Sequence, residues 1–364
     1  MLKALTYQIL ASQPLSTEQV ELAVEQLVDE KLAPDLKAAF LTALAKKGET
    51  VEEITAFARA LRARSVQPLL DPETRAREIL DVCGTGGDRL NTFNISTTVA
   101  LVAAAAGVLV AKHGNRAITS QSGSADVLEA LGIRIDLSPE EAVQSLREHH
   151  FAFFFAPRYH PAFKHIGPAR KLCAERAQRT IFNFLGPLLN PVLPTAQLLG
   201  VPRPELCGPM AEVLKALGVR RGMVVCGAGE AKVQSATSKI ETDDCDATLH
   251  LDELSTLGES TVAEYYQDKG FALSMLNPEF LLQRATLADL QGGDRTANAA
   301  IVRAILSGTE KGPKLEAVLL NAGAALFVAG KTRTISEGWE LAVEIIASGA
   351  ALQKLQQLAK AFPG

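Results

Sequence analysis

Aromatic side chains make up only 5% of this 364-residue chain, with a single tryptophan, so any core must be built largely from Ala, Leu, Val and Ile. Cysteine is scarce too. Cys83, Cys173, Cys207, Cys226 and Cys245 form no Cys-x-x-Cys pair, which argues against a zinc knuckle and a disulfide framework. Neither sign of charge dominates: 37 Lys+Arg stand against 41 Asp+Glu, a formal net charge of −4. That balance excludes a polybasic nucleic-acid binder and an acidic disordered chain. Long apolar runs are missing as well. Leu90–Ala111 is uncharged but opens with Asn91, Thr92, Asn94, Ser96, Thr97 and Thr98, and Thr180–Pro202 is broken by Pro187, Pro191 and Pro194. Neither supplies the roughly 20 mostly apolar residues of a spanning helix. The start, Met1-Leu2-Lys3-Ala4, does not read as a signal peptide. These absences lead us to expect a soluble, cytoplasmic protein without membrane or nucleic-acid partners.

What is present is globular: 47% hydrophobic and 21% charged residues, with a length that allows two or three domains. The beginning reads as helices only. Ser16 with Gln19 and Thr50 with Glu53 fit capping boxes, Pro34 suits a helix start and Gly48 an end. Leu36, Ala39, Phe40, Ala43 and Leu44 recur at helical spacing. After a turn-rich stretch with Pro68, Asp71 and Pro72, strands and helices alternate. Strands are expected at Ile79–Cys83, Val108–Ala111, Ile133–Ile135 and Phe151–Phe155, and helices at Ser96–Ala106, Ser124–Leu131 and after the Ser138-Pro139-Glu140-Glu141 cap. Such alternation implies a parallel sheet covered on both faces. The rhythm lapses from Pro157 to about Pro194 and resumes with a helix at Met210–Leu217 and a strand at Met223–Cys226. One more strand is expected near Phe271–Leu273, and helices from Asn298–Leu306 onward.

Three polar loops follow these strands. In Asp81-Val82-Cys83-Gly84-Thr85-Gly86-Gly87-Asp88 the glycines allow several N–H groups to converge, which suits a phosphate, although a plain tight turn would use them equally well. Asn91-Thr92-Phe93-Asn94-Ile95-Ser96-Thr97 gathers more amides and hydroxyls at a helix start than capping needs. Lys112-His113-Gly114-Asn115-Arg116 sits at the carboxyl end of a strand, where ligands of parallel sheets collect. His113 taken alone reads more readily as a structural histidine than as a functional one. The loop Thr119–Ser124 that follows could also be a solvated connection.

Together with Gly123-Ser124-Ala125-Asp126-Val127-Leu128-Glu129, Ala156-Pro157-x-Tyr159-His160-Pro161-Ala162 and Arg179-Thr180-Ile181-Phe182-Asn183-x-Leu185-Gly186-Pro187-Leu188-Leu189-Asn190-Pro191, these motifs run through most of the chain in one order. In that order the chain resembles anthranilate phosphoribosyltransferases. The resemblance implies transfer of phosphoribosyl from phosphoribosyl pyrophosphate to the amine of anthranilate, a step of tryptophan biosynthesis. It implies that Gly84, Gly87, Asp88, Thr92, Asn94, Ser96, Thr97, Lys112, Ser120 and Ser124 bind phosphoribosyl pyrophosphate. Gly84, Asn115 and Arg170 would bind anthranilate, with His113 and Tyr159 lining its route. Magnesium (Mg2+) would be the cofactor, held by Ser96, Asp252 and Glu253. The implied fold is α/β: a small helical N-terminal domain and a larger α/β domain with a mostly parallel central sheet. The helical domain would span 1–70, completed by about 168–190, and the α/β domain 71–167 and 191–364. A homodimer through the helical domain and closure about linkers near Leu70 and Pro191 are implied too.

Two departures from the family pattern stand out. His250 replaces the glycine before Leu251-Asp252-Glu253, with Ala228–Leu249 intervening after the Val224–Gly227 strand, and Arg170 lies further from Arg179 than is usual. Asp243-Asp244 lacks a preceding apolar strand and is discounted as an acidic phosphoribosyl loop. The expected chemistry displaces pyrophosphate through an oxocarbenium-like state, with no essential catalytic base because the aromatic amine is already free. Two alternatives are a pyrimidine nucleoside phosphorylase-like enzyme, which would carry a lysine where Val82-Cys83 stand, and a non-catalytic nucleic-acid-binding relative, which would need a basic groove.

Overall fold

A computed structural model describes every residue except 89, 118–120, 232–247, 267–269, 279–284 and 363–364. The chain opens with α1 (Leu2–Leu10), α2 (Thr17–Val28), α3 (Pro34–Lys47) and α4 (Val51–Arg62). Both capping boxes form: Ser16 Oγ accepts from Gln19 N and Thr50 Oγ1 from Glu53 N, while each N3 side chain returns the bond. Pro34 opens α3 and Gly48, at φ +87°, closes it. The buried face of α3 runs through Lys37, Phe40, Leu41 and Leu44, leaving Ala39 outside.

After α5 (Pro72–Ala76) the alternating part begins with β1 (Ile79–Gly84), α6 (Ile95–Ala105), β2 (Leu109–Gly114), α7 (Ser124–Ala130), α8 (Pro139–His149) and β3 (Phe151–Phe155). Ser138, Pro139 and Glu141 start α8 as their order implies. The expected strand at Ile133–Ile135 is absent. Ile133 N bonds back to Leu128 O to close α7, and β3 is an edge strand with no neighbour to pair with that segment. Ile133 and Ile135 are buried by packing alone.

Through the proline-dense stretch run α9 (Ala156–Tyr159), α10 (Gly167–Glu175) and α11 (Phe182–Leu185), and a 3-10 turn at Gly186–Leu189 leads to β4 (Ala196–Gly200). Next come α12 (Cys207–Ala216), β5 (Arg221–Ala231), β6 (Thr248–Leu251), β7 (Ser260–Tyr266), β8 (Ala272–Leu276), α13 (Arg295–Leu306), α14 (Pro313–Val328), α15 (Ile335–Ala347) and α16 (Ala350–Ala361). The strand order is β3-β2-β1-β4-β5-β7-β8, with β6 pairing β5. The first five are parallel, and β6, β7 and β8 add antiparallel pairs.

Alternation along the strands feeds separate cores on the two faces of the sheet. Leu198, Met223 and Val225 pack with α6 and the C-terminal helices, whereas Leu199, Val224 and Cys226 join the core of the N-terminal helices, α10 and α12. Aliphatic side chains and alanine supply most of both, as the shortage of aromatics requires. Where α14 meets α15 the backbones touch: a Cβ on Gly338 would fall 2.4 Å from Gly323 O. Gly338→Ala must push the helices apart at a cost of about 1–3 kcal/mol. At about 2–4 °C per kcal/mol, a thermal melt should show a fall of several degrees, and an unchanged midpoint would mean that the contact is not tight in solution.

Candidate active site

The carboxyl ends of β1, β2 and β4 each close on glycine: Gly84, Gly114 and Gly200. Gly84 pairs with Gly200 across the sheet, and Thr85 N continues the ladder to Gly200 O at 2.9 Å. The turn at Asp252 lies directly on these two glycines. A Cβ on Gly84 would come within 2.3 Å of Asp252 Oδ2, and one on Gly200 within 1.5 Å of Asp252 O. Gly86, at φ +71°, donates its N–H to Asp252 Oδ2 at 2.7 Å. Asp252 reaches this place because β5 continues past Gly227 and β6 returns antiparallel, setting Leu251 opposite Gly227. The intervening segment thus leaves and rejoins the sheet at one point, and Asp252-Glu253 follow the strand pair directly. Asp243 and Asp244 lie outside the described residues.

The N-terminus of α6 faces the same cluster. Asn94 is its N-cap residue but makes no side-chain cap bond. Its Nδ2 donates to Ser122 O at 3.3 Å, and its buried Oδ1 has no hydrogen-bond partner among the described residues. Lys112, on β2 and 2% exposed, donates to Val82 O at 2.6 Å and to Ser96 Oγ at 3.3 Å. Burial lowers the Lys112 pKa and Asp81 opposes that shift. The backbone N–H of Ser96 and the Lys112 ammonium both favour the ionised form of Glu253. Gly84, Gly86, Ser96, Lys112, Asp252 and Glu253 therefore form one connected group. Gly87, at φ +100°, and Asp88 continue the glycine loop, with Asp88 Oδ1 accepting from Leu90 N at 3.2 Å. Thr92 bridges to Gln291, and Thr97 is buried in the first turn of α6.

The loop after β2 is pinned by Asp126, whose Oδ2 accepts from Ala117 N and Gly123 N, both at 2.9 Å. Arg116 forks onto Glu129, and Asn115 O accepts from Ala125 N and Ser124 Oγ. The Asn115 side chain is left exposed, and Ser120 lies outside the described residues.

Arg170 stands in the first half of α10 with its guanidinium 5.1 Å from the Phe182 ring centre, and burial lowers its pKa. Neither a hydrogen bond nor an ion pair engages its side chain among the described residues. The long spacing to Arg179 is absorbed beyond it, in a turn where Ala177 adopts φ +51° and Gln178 N bonds Cys173 O. An aromatic row links Arg170 to the strand ends. His113–His160, His160–Phe163 and Phe163–Phe182 ring centres lie 5.2, 5.2 and 5.7 Å apart. Tyr159 is placed differently from a residue lining a route: it is fully buried, with its ring on Phe154 and its hydroxyl unpartnered among the described residues.

Sequence reasoning did not single out Arg62, Asp81 and Gln197, buried polar groups that act with His113 and Asn190 around the Gly186–Asn190 turn. His113 Nδ1 lies 3.2 Å from Gly186 O, which places its proton there. Gln197 Nε2 donates to Pro187 O at 2.9 Å, and Arg62 Nε donates to Leu188 O. Asn190 Nδ2 reaches Asp81 Oδ2 at 2.9 Å and Ala111 O at 2.7 Å. Side chains from α4, β2 and β4 thus satisfy three consecutive carbonyls, while Asn190 reaches back to β1 and β2. Asn190 belongs to a recognised motif, but Arg62, Asp81 and Gln197 gave only the weak signal of charged or amide residues among apolar ones.

The donor chemistry suits magnesium. Burial, together with Asp88, raises Asp252 to about 7, and burial and Asp252 push Glu253 well above the usual carboxylate range. Crowded carboxylates of this kind are favoured as anions by a hard cation. Among the described residues no three His, Cys, Asp or Glu groups form a cage.

Glycine-loop backbone, a helix N-terminus, a buried lysine and paired acids at the carboxyl end of a parallel sheet are the equipment of an enzyme that handles a phosphorylated sugar. Residues 76–248 and 245–352 match the glycosyl transferase family a/b domain, and residues 3–65 its helical bundle domain, so the class is glycosyltransferase. A relative from Citrifermentans bemidjiense called anthranilate phosphoribosyltransferase is 45% identical, covering 98% of each chain. The crystal structure of the Thermus thermophilus anthranilate phosphoribosyltransferase superposes with a TM-score of 0.82, at 40% identity and 98% coverage of each chain. The Saccharomyces cerevisiae enzyme in complex with phosphoribosyl pyrophosphate and Mg gives 0.81 at 27% identity, covering 99% of this chain and 98% of that one. The chain belongs to the anthranilate phosphoribosyltransferase family, which takes the place of the phosphorylase and nucleic-acid-binding alternatives.

Two buried imidazoles give the site a measurable pH signature. Burial lowers His113 to about 3 and His160 to about 4, against 6.5 for an unfolded chain. The unfolded state therefore takes up protons first. Their contribution to stability is whole above pH 6.5 and is lost as pH falls through that window. Asp81, raised to about 6, acts in the opposite direction, so the difference between variants is the informative quantity. In denaturant titrations between pH 7 and 4, His160→Gln should lose less stability than wild type, by up to about 1.4 kcal/mol per pH unit. Parallel curves would show that His160 is protonated in the folded protein.

Proposed function

We propose that this chain runs the family reaction, displacing pyrophosphate from phosphoribosyl pyrophosphate by the amine of anthranilate, with the roles that follow. The observation that carries the reading is the Asp252 turn lying on Gly84, Gly86 and Gly200 beside Lys112 and the start of α6. The glycine loop at Gly84 and Gly87 and the α6 N-terminus would receive the phosphates, with Asp88, Thr92, Asn94, Ser96, Thr97 and Ser124 around them. Ser120 would join from the loop. Lys112 adds fixed positive charge where the leaving group becomes more negative. Ser96, Asp252 and Glu253 would hold magnesium, which when bound neutralises the pyrophosphate.

Arg170 is suited to the anthranilate carboxylate because its planar fork bonds both oxygens and no carboxylate among the described residues engages it. Asn115 and the backbone at Gly84 would complete that site, and His113, held as the Nδ1–H tautomer, would border it. Tyr159 would support this wall from behind through Phe154 rather than touch the substrate. The attacking amine needs no deprotonation before attack, so positioning it between Arg170 and the anomeric carbon is the main task of these residues.

The division into a helical unit of 1–70 with about 168–190 and an α/β unit of 71–167 and 191–364 belongs to the same proposal. So does a homodimer through the helical unit, supported by Tyr7 and Leu10, 72% and 61% exposed on α1. A cytoplasmic location fits a helix set in which, among the described residues, none is long and apolar enough to cross a membrane.

The test is loss of anthranilate fluorescence with phosphoribosyl pyrophosphate and Mg2+. The double variant Asp252→Asn/Glu253→Gln should lose at least about 100-fold in kcat/KM, since removing charge-assisted contacts at two ligands costs about 1.5–3 kcal/mol each. Activity within threefold of wild type would place the cation elsewhere. Arg170→Lys should raise the anthranilate KM by about tenfold and leave that of phosphoribosyl pyrophosphate unchanged. A rise confined to the second substrate would instead move Arg170 to the other site.

A further inference from the structure

Asn321 sits in α14 with no exposed surface, among the buried Val318, Leu320, Ala322, Ala324 and Ala325. A carboxamide in such surroundings is costly unless bonded. Its Oδ1 accepts from Leu254 N at 2.9 Å, and its Nδ2 donates to Leu254 O and to Ala317 O, each at 2.9 Å. The side chain thus exchanges both bonds with one residue's backbone, as a facing residue does in an antiparallel ladder. Leu254 immediately follows Glu253.

Other bonds hold the turn on either side of that pair. Before it, Leu251 is registered against Gly227. After it, Ser255 N bonds Ser260 Oγ and Ser255 Oγ donates to Ala228 O. Those contacts all come from β5 and its antiparallel partners. Asn321 is the tie from another layer: α14 also packs against α6, the helix that begins at Ile95-Ser96, and against β4 and β1, which end in Gly200 and Gly84. One helix therefore packs against α6, β1, β4 and β5, which meet around Asp252 and Glu253.

We propose that Asn321 is a positioning residue: by clamping Leu254 to α14 it aims the Asp252 and Glu253 carboxylates and so sets the affinity for a divalent cation bound with pyrophosphate. This rests on the reading of Asp252 and Glu253 as cation ligands. A leucine would fill much the same volume but leave the N–H and C=O of Leu254 unpaired in the interior, and the turn would shift to find new partners. An aspartate would keep the acceptor for Leu254 N and lose the donor to Leu254 O.

The experiment titrates Mn2+ into the protein with inorganic pyrophosphate and counts free Mn2+ by electron paramagnetic resonance, a readout that needs no turnover. Mg2+ half-saturation, both KM values and melting are measured alongside. Asn321→Leu should weaken Mn2+ binding and raise the Mg2+ requirement by about tenfold or more, as loss of an outer-sphere support does, with Asn321→Asp in between. The anthranilate KM should stay within about twofold of wild type, because no Asn321 bond reaches that side. Asn321→Ser carries the test if Asn321→Leu does not fold. Folded variants that bind Mn2+ as wild type does would overturn the proposal, whatever their activity. So would both KM values rising together with the Mg2+ requirement unchanged. Wild type that binds no Mn2+ with pyrophosphate would overturn the reading of Asp252 and Glu253 as well, and the two failures are therefore distinct.

Discussion

A side chain at position 200 would occupy the space of a backbone carbonyl, since its Cβ would fall 1.5 Å from Asp252 O. This contact between the end of β4 and the Asp252 turn is a steric constraint on which the site depends. Gly84, next to Gly200 in the sheet, admits the Asp252 carboxylate by the same lack of a side chain. Only with both positions bare can an acidic turn settle onto the mouth of a glycine loop. Gly86 then bonds the carboxylate, and Ser96 N and Lys112 come within reach of its neighbours. The glycines at the strand ends serve backbone approach, whereas Gly86 and Gly87 serve the turn through positive φ.

Charge is arranged around that contact in two layers. Asp88, Asp252 and Glu253 crowd together at the strand ends, where Asp88 raises the cost of ionising Asp252, and Asp252 and Asp88 that of Glu253. Beneath them, buried Lys112 is offset by buried Asp81, which Asn190 and the interior hold in place. The lower pair is neutral overall and changes little with ligand. Burial and repulsion disfavour charge on the upper group and a cation would restore it, so substrate and metal would arrive as a unit. A site built this way would bind phosphates with backbone dipoles and one lysine, without a basic surface in a chain of net charge −4.

Features coded within a few residues were legible in the sequence. The caps at Ser16, Thr50 and Ser138, the strands after which the polar loops follow, and the glycine cluster all came from local pattern, and the family motifs supplied the reaction. Pairing between distant segments was not legible. Ile133–Ile135 has strand composition, yet no strand borders it, so burial there comes from packing without a ladder. β4 escaped notice because Gln197 interrupts a short apolar run, and that glutamine is tolerable only because Pro187 O, ten residues away in chain order, accepts its N–H. The register of Leu251 on Gly227, which brings Asp252 to the site despite the long intervening segment, is a long-range property that spacing alone cannot express. Asn321 looked like one polar residue in an apolar helix, and its meaning appears only when Leu254 is seen beside it.

The Gly186–Asn190 turn shows how the two halves of the site are kept in one geometry. Its carbonyls are taken by Arg62 from the helical bundle, by His113 from β2 and by Gln197 from β4, while Asn190 bonds Asp81 at the root of the glycine loop. Apolar packing at this junction would hold the helices to the sheet with similar strength but would permit sliding, because dispersion contacts are non-directional. Hydrogen bonds to successive carbonyls allow one register. These bonds offset part of the cost of burying an arginine, an imidazole and two amides, and a displaced turn would lose several of them at once. Arg170 precedes this turn in the chain and Lys112 adjoins His113, so the residues assigned to the two substrates are referred to a common fixed point. For a reaction limited by how an amine is presented to an anomeric carbon, such a shared reference does more than any single contact to either substrate.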